Sequence, residues 1–177
     1  MKLVTVQAAA IKSTFEVLKD ILNDVNIYFK PDGMYIVTLD TARTSLIDMH
    51  LPAENFEEYE CKEEIDCGVN MTNMHKLLKT ITVNDILIMS VQSKEHMNIE
   101  IHSEQKKTST KFELKLLDIN ENQIEVPEMQ MMVNTPIPSI DFQRICRDMS
   151  NIGDELEIHR GGNALRLVCK GDFANQE

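Results

Sequence analysis

The sequence is poor in several features, and each shortage excludes a class of protein. No run approaches the roughly 18 apolar residues that a membrane-spanning helix needs. The first ten residues, MKLVTVQAAA, hold too short an apolar stretch for a signal peptide. Aromatic residues make up only 5% of the 177 residues and tryptophan is absent, so the chain lacks an aromatic platform for stacking bases. We therefore expect a protein of the cytosol or nucleus that is neither secreted nor held in a membrane.

Metal and catalytic motifs are missing as well. Of the four cysteines, Cys61 and Cys67 are separated by five residues and no CxxC occurs, which is unlike a zinc or redox site. There is no Walker loop, nucleophile elbow or HExxH motif. A small hydrolase or metal enzyme using Asp40, His50 or His75 would rest on the residue types alone. The sequence therefore predicts no catalytic site, no metal and no cofactor.

Positive charge is scarce. Eighteen lysines and arginines stand against 29 acidic residues, which gives a formal net charge of -11. This balance argues against a general affinity for nucleic acid, but it leaves room for one cationic surface on an acidic body. The acidic stretch ENFEEYECKEEID (54–66) has no regular ligand spacing, so a solvated face and loop explain it better than a metal site.

Hydrophobic periodicity divides the chain into units of a strand, a helix and a run of further strands. Helical spacing predicts a first helix from Ala8 to about Asn23, a second that opens near Thr72 as its N-cap, and a third from about Ser139. Residues 118–132 are polar, contain a proline and indicate an extended linker. Units of this kind bury their apolar faces by stacking on one another.

The second and third helices are related by a constant offset of 68 residues, the distance from Met74 to Phe142. The apolar residues Met74, Leu77, Leu78 and Ile81 correspond to Phe142, Ile145, Cys146 and Met149, and the cations Lys76 and Lys79 correspond to Arg144 and Arg147. At about 100° per residue, these cations lie away from the apolar stripe. The first helix carries Lys12 and Lys19 beside its own stripe.

Amphipathic helices have charged outer faces in any case, and one such pair of cations would mean little. A repeated pair on each helix of an acidic chain favours instead a common cationic surface. Such a surface, without groove-reading motifs, suits contact with phosphates and no readout of bases.

Five stretches of the chain follow one another in the order of a known family: TLDTARTSL, CGVNMTNMHKLLK, FELKLLDI, VPE and FQRICRDMSNIGD. They closely resemble the eukaryotic-type DNA sliding clamps of the proliferating cell nuclear antigen (PCNA) family, cellular or viral. The resemblance implies the α+β DNA-clamp (processivity) fold of repeated strand–helix–strands units, with helices on one face and antiparallel sheets on the other. It implies a first clamp domain of two units (1–117), an interdomain connector (118–133) and the first part of a second clamp domain (134–177), which is incomplete.

The resemblance also implies the function. Members are non-enzymatic processivity factors whose homotrimeric ring encircles duplex DNA without regard to sequence. They tether DNA polymerase and other replication and repair proteins through short peptide motifs, act with a clamp loader, and work in the nucleus or at viral replication sites. A subunit of a heteromeric checkpoint-type clamp is the alternative. A chain ending at Glu177 is not expected to close a ring by the family's mechanism.

Motif matches assign three surfaces. The DNA-facing residues would be Lys12, Lys19, Lys76, Lys79, Arg144 and Arg147. The client-peptide pocket would comprise Leu39, Asp40, Arg43, Leu46, Ile124, Val126 and Pro127. The subunit interface would comprise Thr110, Phe112, Leu114 and Leu116.

Two of these surfaces have simpler alternatives, and the chain departs from the family at four positions, which include Met131, where an aromatic residue is common, and Gly162, where a modifiable lysine is frequent. Leu39 and Leu46 could be ordinary strand core, and residues 109–117 could be an ordinary edge strand. Arg43 stands where the family commonly has a histidine. Ser13 stands where the family often has a second basic residue beside Lys12.

Overall fold

A computed structural model describes residues 1–120, 124, 126, 134–162 and 164–177. Contacts divide the chain into two compact units, Met1–Pro127 and Glu128–Glu177. The described residues form three helices and antiparallel sheets, which confirms the predicted α+β class. None of the helices in these residues is long and apolar enough to cross a membrane.

The first unit contains two copies of a strand–helix–strands pattern. Its strands are β1 (Lys2–Thr5), β2 (Asp24–Lys30), β3 (Gly33–Leu39), β4 (Leu46–Pro52), β5 (Glu58–Glu60), β6 (Ile65–Asn70), β7 (Ile86–Val91), β8 (His96–Ser103) and β9 (Thr108–Lys115). Its helices are α1 (Ala8–Ile21) and α2 (Met71–Leu78), and a short 3₁₀ turn spans Ala53–Asn55. The first repeat begins with β1 and α1, and the second begins with β6 and α2.

These two repeats exchange their first strands. β1 lies beside β7 of the second repeat, in a sheet of order β5-β1-β7-β8-β9. β6 lies beside β2 of the first repeat, in a sheet of order β4-β3-β2-β6. All the pairings are antiparallel. Because each sheet takes a strand from the other repeat, neither repeat completes a sheet on its own.

Both helices of the first unit bury one apolar stripe in a shared core. The stripe of α1 contains Ile11, Phe15 and Leu18, and that of α2 contains Met74 and Leu78. These spacings place the residues on one face of each helix. They join the inward-facing residues of both sheets in a single hydrophobic cluster, so the opposite faces of the helices are left for polar and charged side chains.

The N-terminus of α2 corrects the predicted cap. Asn70, and not Thr72, is the N-cap: its backbone is extended and its side-chain oxygen accepts a hydrogen bond from the N–H of Asn73 at 2.9 Å. The Asn70 amide also donates to the Asp24 carboxylate at 2.7 Å, which ties the start of α2 to β2. Thr72 lies within the first helical turn because Asn70, two residues earlier, already satisfies a free backbone donor.

A buried carboxylate closes the turn between α2 and β7. Asp85 is only 3% exposed and accepts hydrogen bonds from the N–H and the hydroxyl of Thr82 at 2.8 and 2.9 Å. Burial by itself raises the pKa of Asp85. The hydrogen bonds from Thr82, together with the nearby Ser103 hydroxyl and the positive charge of Lys106, outweigh that effect, so the pKa of Asp85 lies below its usual value.

We expect Asp85→Ala to lower the free energy of unfolding by ~1–3 kcal/mol, because the N–H and hydroxyl of Thr82 then lose their acceptor in the turn. Urea unfolding measures the loss, and the exposed Asp148→Ala is the matched control. Since the folded pKa is lowered, the stabilisation by Asp85 is present above the unfolded pKa of about 4 and disappears as the pH falls through the lower folded value. A gap between wild type and variant that does not shrink in acid would contradict this account.

The second unit contains α3 (Ser139–Met149) and a three-stranded antiparallel sheet of order β10-β11-β12. Its strands are β10 (Leu156–Gly161), β11 (Ala164–Lys170) and β12 (Asn175–Gln176). α3 begins at the predicted residue. Met149 is buried like its counterpart Ile81, while Phe142 and Ile145 are half-buried. The 68-residue offset therefore relates residues that face the interior of their own units.

Candidate functional site

The two lysines of α1 both have partners close by. Lys12 is half-buried, and its Nζ donates to the carbonyl of Ile81 at 2.9 Å, just beyond the end of α2. Lys19 donates to Asp20 at 2.6 Å. Lys12 therefore links the two helices, a contact that residue spacing did not predict because the acceptor is a backbone atom 69 residues away.

The cations of α2 and α3 are more open. Lys76 and Lys79 are exposed and form no ion pair with any residue that the structure describes. On α3, Arg144 lies 3.5 Å from Asp141, a loose pair between two exposed side chains. Arg147 is exposed and has no such partner within the described ranges. Among the six predicted DNA-facing residues, Lys76, Lys79 and Arg147 are the exposed side chains that have no ion pair with a described residue.

A cavity of about 430 Å³ opens at one end of the sheet that contains β2 and β3. It is lined by Leu22, Asn23, Asp24, Val25, Thr38, Leu39, Asp40, Thr41, Arg43 and Ile124. Four of the seven predicted pocket residues, Leu39, Asp40, Arg43 and Ile124, thus share one concave surface. The residues from the end of α1 to β2 were not predicted, since their place here depends on how β2 pairs with β3.

Two of the other predicted pocket residues, Leu46 and Val126, do not line this cavity. Leu46 pairs with Leu39 across the β3–β4 hairpin and is 39% exposed. Val126 is 38% exposed. Pro127 lies outside the described residues. Leu39 and Leu46 leave much of their surface in solvent, so the simpler assignment of both to strand core is wrong.

The loop between β3 and β4 is built around Asp40. Its carboxylate accepts hydrogen bonds from the N–H groups of Thr44 and Ser45 at 2.7 and 2.9 Å and from the Thr44 hydroxyl at 3.1 Å. The bond from Ser45 is the largest of several that hold the pKa of Asp40 below its usual value. Asp40 therefore organises the loop as an ionised acceptor, and both of its oxygens are occupied.

The start of the predicted connector lies directly on the sheet. The N–H of Leu117 donates to the carbonyl of Gly68 at 2.8 Å, and the Asn26 amide donates to the carbonyl of Ile119 at 3.0 Å. A Cβ on Gly68 would stand 2.2 Å from the Leu117 carbonyl oxygen, so only glycine permits this approach. Ile124, a few residues further on, is half-buried at the cavity.

β9 is the last strand of its sheet, and in the described residues it pairs only with β8. Of the predicted interface residues, Phe112, Leu114 and Leu116 pack against the hydrophobic core of their own unit, and Thr110 is exposed. The sequence predicted the edge position. The open groups on this edge are those of the backbone, and the large side chains point mainly inward.

Asp40, His50 and His75, the residues considered for a catalytic site, lie on different elements of the fold. Asp40 holds its loop together, and the His50 ring stacks on Tyr35 with centroids 4.1 Å apart. His75 lies on α2. Within the part of the chain that the structure describes, no group of three His, Cys, Asp or Glu side chains could hold a metal ion.

Two family models match the chain, one after the other. Residues 1–124 match the N-terminal domain of proliferating cell nuclear antigen, and residues 124–177 match its C-terminal domain. A probable DNA polymerase sliding clamp of Paramecium bursaria Chlorella virus 1 is 40% identical over 98% of this chain and 68% of its own length. The proliferating cell nuclear antigen of Chaetomium thermophilum is 28% identical over 96% of the chain and 66% of its own length. The chain thus spans about two thirds of the length of these relatives.

Proposed function

The chain belongs to the PCNA family of DNA sliding clamps, and we propose that it is a subunit of a ring that encircles duplex DNA and tethers DNA polymerase. The names of its relatives in a virus and a fungus support this role. Its work would be topological and not catalytic, at a nuclear or viral replication site. Neither the comparisons nor the fold favours the checkpoint-type alternative.

The exposed cations of α2 and α3 are the observation that supports contact with DNA. Lys76, Lys79 and Arg147 are exposed and unpaired in the described residues, although the whole chain has a net charge of -11. Lysine and arginine contacts to phosphates are blind to sequence and weaken with salt. Mild attraction of this kind is enough for a clamp, because a closed ring cannot leave a circular duplex without opening.

Retention on circular DNA tests the topological mechanism. The full-length protein, loaded onto a circular plasmid by its clamp loader, should remain bound through a high-salt wash and leave when the plasmid is linearised. Salt screens the cationic contacts but cannot remove a closed ring. Equal loss from circular and linear DNA in high salt would overturn the proposal.

We further propose that the subunits form a homotrimer through the edge of β9. In the described residues this edge has no neighbouring strand, so its backbone donors and acceptors can extend the sheet with a strand from another copy. Light scattering on the full-length protein tests this assembly. A protein that stays monomeric at all concentrations would instead support a heteromeric ring.

The cavity beside Ile124 is the proposed site for client proteins. The apolar residues of its mixed lining and the exposed Leu46 and Val126 suit a short helical peptide with aromatic or aliphatic anchors. Client peptides of DNA polymerase and of repair proteins would bind here on the outside of the first unit. The alternative for Ile124 and Val126 is a linker held on the sheet by its own apolar side chains.

We expect the double variant Ile124→Ala/Val126→Ala to weaken binding of such a peptide by about tenfold or more, because two apolar contacts are lost at roughly 1 kcal/mol each. Isothermal titration calorimetry with an anchor-bearing peptide measures this change, and DNA retention should not alter. The exposed Val83→Ala is a matched control on a different turn. Unchanged peptide affinity in the double variant would favour the linker alternative.

A further inference from the structure

Arg43 stands on the rim of the cavity in a fixed backbone position. The N–H of Asp40 donates to the Ser45 carbonyl and the N–H of Arg43 donates to the Asp40 carbonyl, both at 2.9 Å. Arg43 itself has a φ of 56°, a left-handed conformation that non-glycine residues seldom adopt. The hydrogen bonds of the loop hold this conformation, so the direction in which the Arg43 side chain leaves the backbone is set by the loop.

The carboxylates that line the same cavity are already engaged. Asp24 accepts the Asn70 amide at 2.7 Å, and Asp40 accepts three hydrogen bonds from Thr44 and Ser45. Arg43 is exposed, and among the residues that the structure describes it forms no ion pair and no side-chain hydrogen bond. A guanidinium group, which can pair with a carboxylate through two parallel hydrogen bonds, is therefore not engaged by any described residue at this site.

The other residues that line the cavity indicate what kind of anionic ligand could bind beside the Arg43 guanidinium. Leu22, Val25, Leu39 and Ile124 give an apolar wall. A ligand that fits both parts has an apolar anchor and a negative charge close to it. A free anion would gain little here, because the two aspartates of the lining repel it and no other cation lines the described cavity.

We propose that Arg43 makes this site selective for client peptides that carry an aspartate or glutamate next to their apolar anchors. The anchors fill the apolar wall, and the acidic side chain pairs with the Arg43 guanidinium at the rim. This inference rests on the proposed client site and adds the chemical class of the client. The resemblance leads one to expect a histidine at the position of Arg43, and an unperturbed histidine is mostly uncharged at neutral pH. The inference therefore gives a physical role to the permanent charge of Arg43.

The test uses synthetic helical peptides with identical aromatic anchors. An Asp/Asn pair is placed in turn at each position flanking the anchors, and affinities for the full chain are measured by fluorescence anisotropy at low and high salt. At one position, wild type should bind the Asp peptide roughly three- to tenfold more tightly than the Asn peptide. The preference should shrink in high salt, since the pair lies at the surface.

Two variants separate the role of Arg43 from general charge. Arg43→Gln should bring the ratio of Asp-peptide to Asn-peptide affinity to about one, whereas Lys94→Gln, the same charge change outside the cavity lining, should keep the preference. No Asp preference in wild type, or an equal preference in Arg43→Gln, overturns the inference while anchor-dependent binding still supports the client site. If no peptide binds and Ile124→Ala changes nothing, the proposed site itself fails and the inference fails with it.

Discussion

Changing Lys76, Lys79 and Arg147 together to glutamine is expected to lower the slope of log affinity against log salt by about 2.7 for a short duplex. Each phosphate contact contributes about 0.9 to this slope through counterion release, and three contacts are removed. Titrations of labelled duplex at several salt concentrations measure it. The loss should be the same for different DNA sequences, because none of these residues is expected to read bases.

A second triple variant provides the control for this prediction. Lys62, Lys94 and Lys107 are exposed cations that lie outside the three helices. Their replacement by glutamine lowers the net charge by the same amount, yet it should leave the slope almost unchanged. If both triple variants reduce the slope equally, the helix cations act only through the overall charge of the protein.

Gly68→Ala is expected to detach the start of the proposed connector from the sheet and to lower the free energy of unfolding by ~1–3 kcal/mol, the usual range for overpacking. The added Cβ would stand 2.2 Å from the carbonyl oxygen of Leu117 and 2.9 Å from its carbonyl carbon. These are backbone atoms, so the whole segment must move. The hydrogen bond from Leu117 to Gly68 should break with this movement.

Two measurements distinguish this effect from a general loss of stability. Gly161→Ala is the matched control, because a Cβ there meets no atom within 4 Å. Hydrogen exchange at the Leu117 amide should accelerate in Gly68→Ala under native conditions. Peptide affinity should also fall, since Ile124 follows on the same segment. Protection of Leu117 equal to that of wild type would show that the connector does not depend on this contact.

The local features of the fold could be predicted from the sequence with good accuracy. The spacing of Ile11, Phe15 and Leu18 is enough to place α1, because one face of a helix has to be apolar to join a core. The predicted end at Asn23 is two residues beyond the observed Ile21, since Leu22 is already extended. The repeat between α2 and α3 was visible because the apolar and cationic positions recur together.

Long-range features could not be predicted in the same way. The contact of Lys12 with Ile81 and the close approach of Leu117 to Gly68 both involve backbone carbonyls, which no side-chain pattern reveals. The same limit applies to β9. Alternation in β9 shows which residues share a face, but only the sheet order shows that Phe112 and Leu114 face inward.

The exchange of first strands between the two repeats has a consequence for how the protein is made. During translation β1 leaves the ribosome first, but its partners are Glu58–Glu60 of β5 and then Leu87–Ser90 of β7. The growing chain must therefore carry β1 with both edges unpaired until β5 is made, and with one edge unpaired until β7 is made, when more than half of the first unit has been synthesised. Exposed edges of this kind invite pairing with other nascent chains, so chaperone binding to the early chain should matter more here than for a fold whose neighbouring strands pair in order.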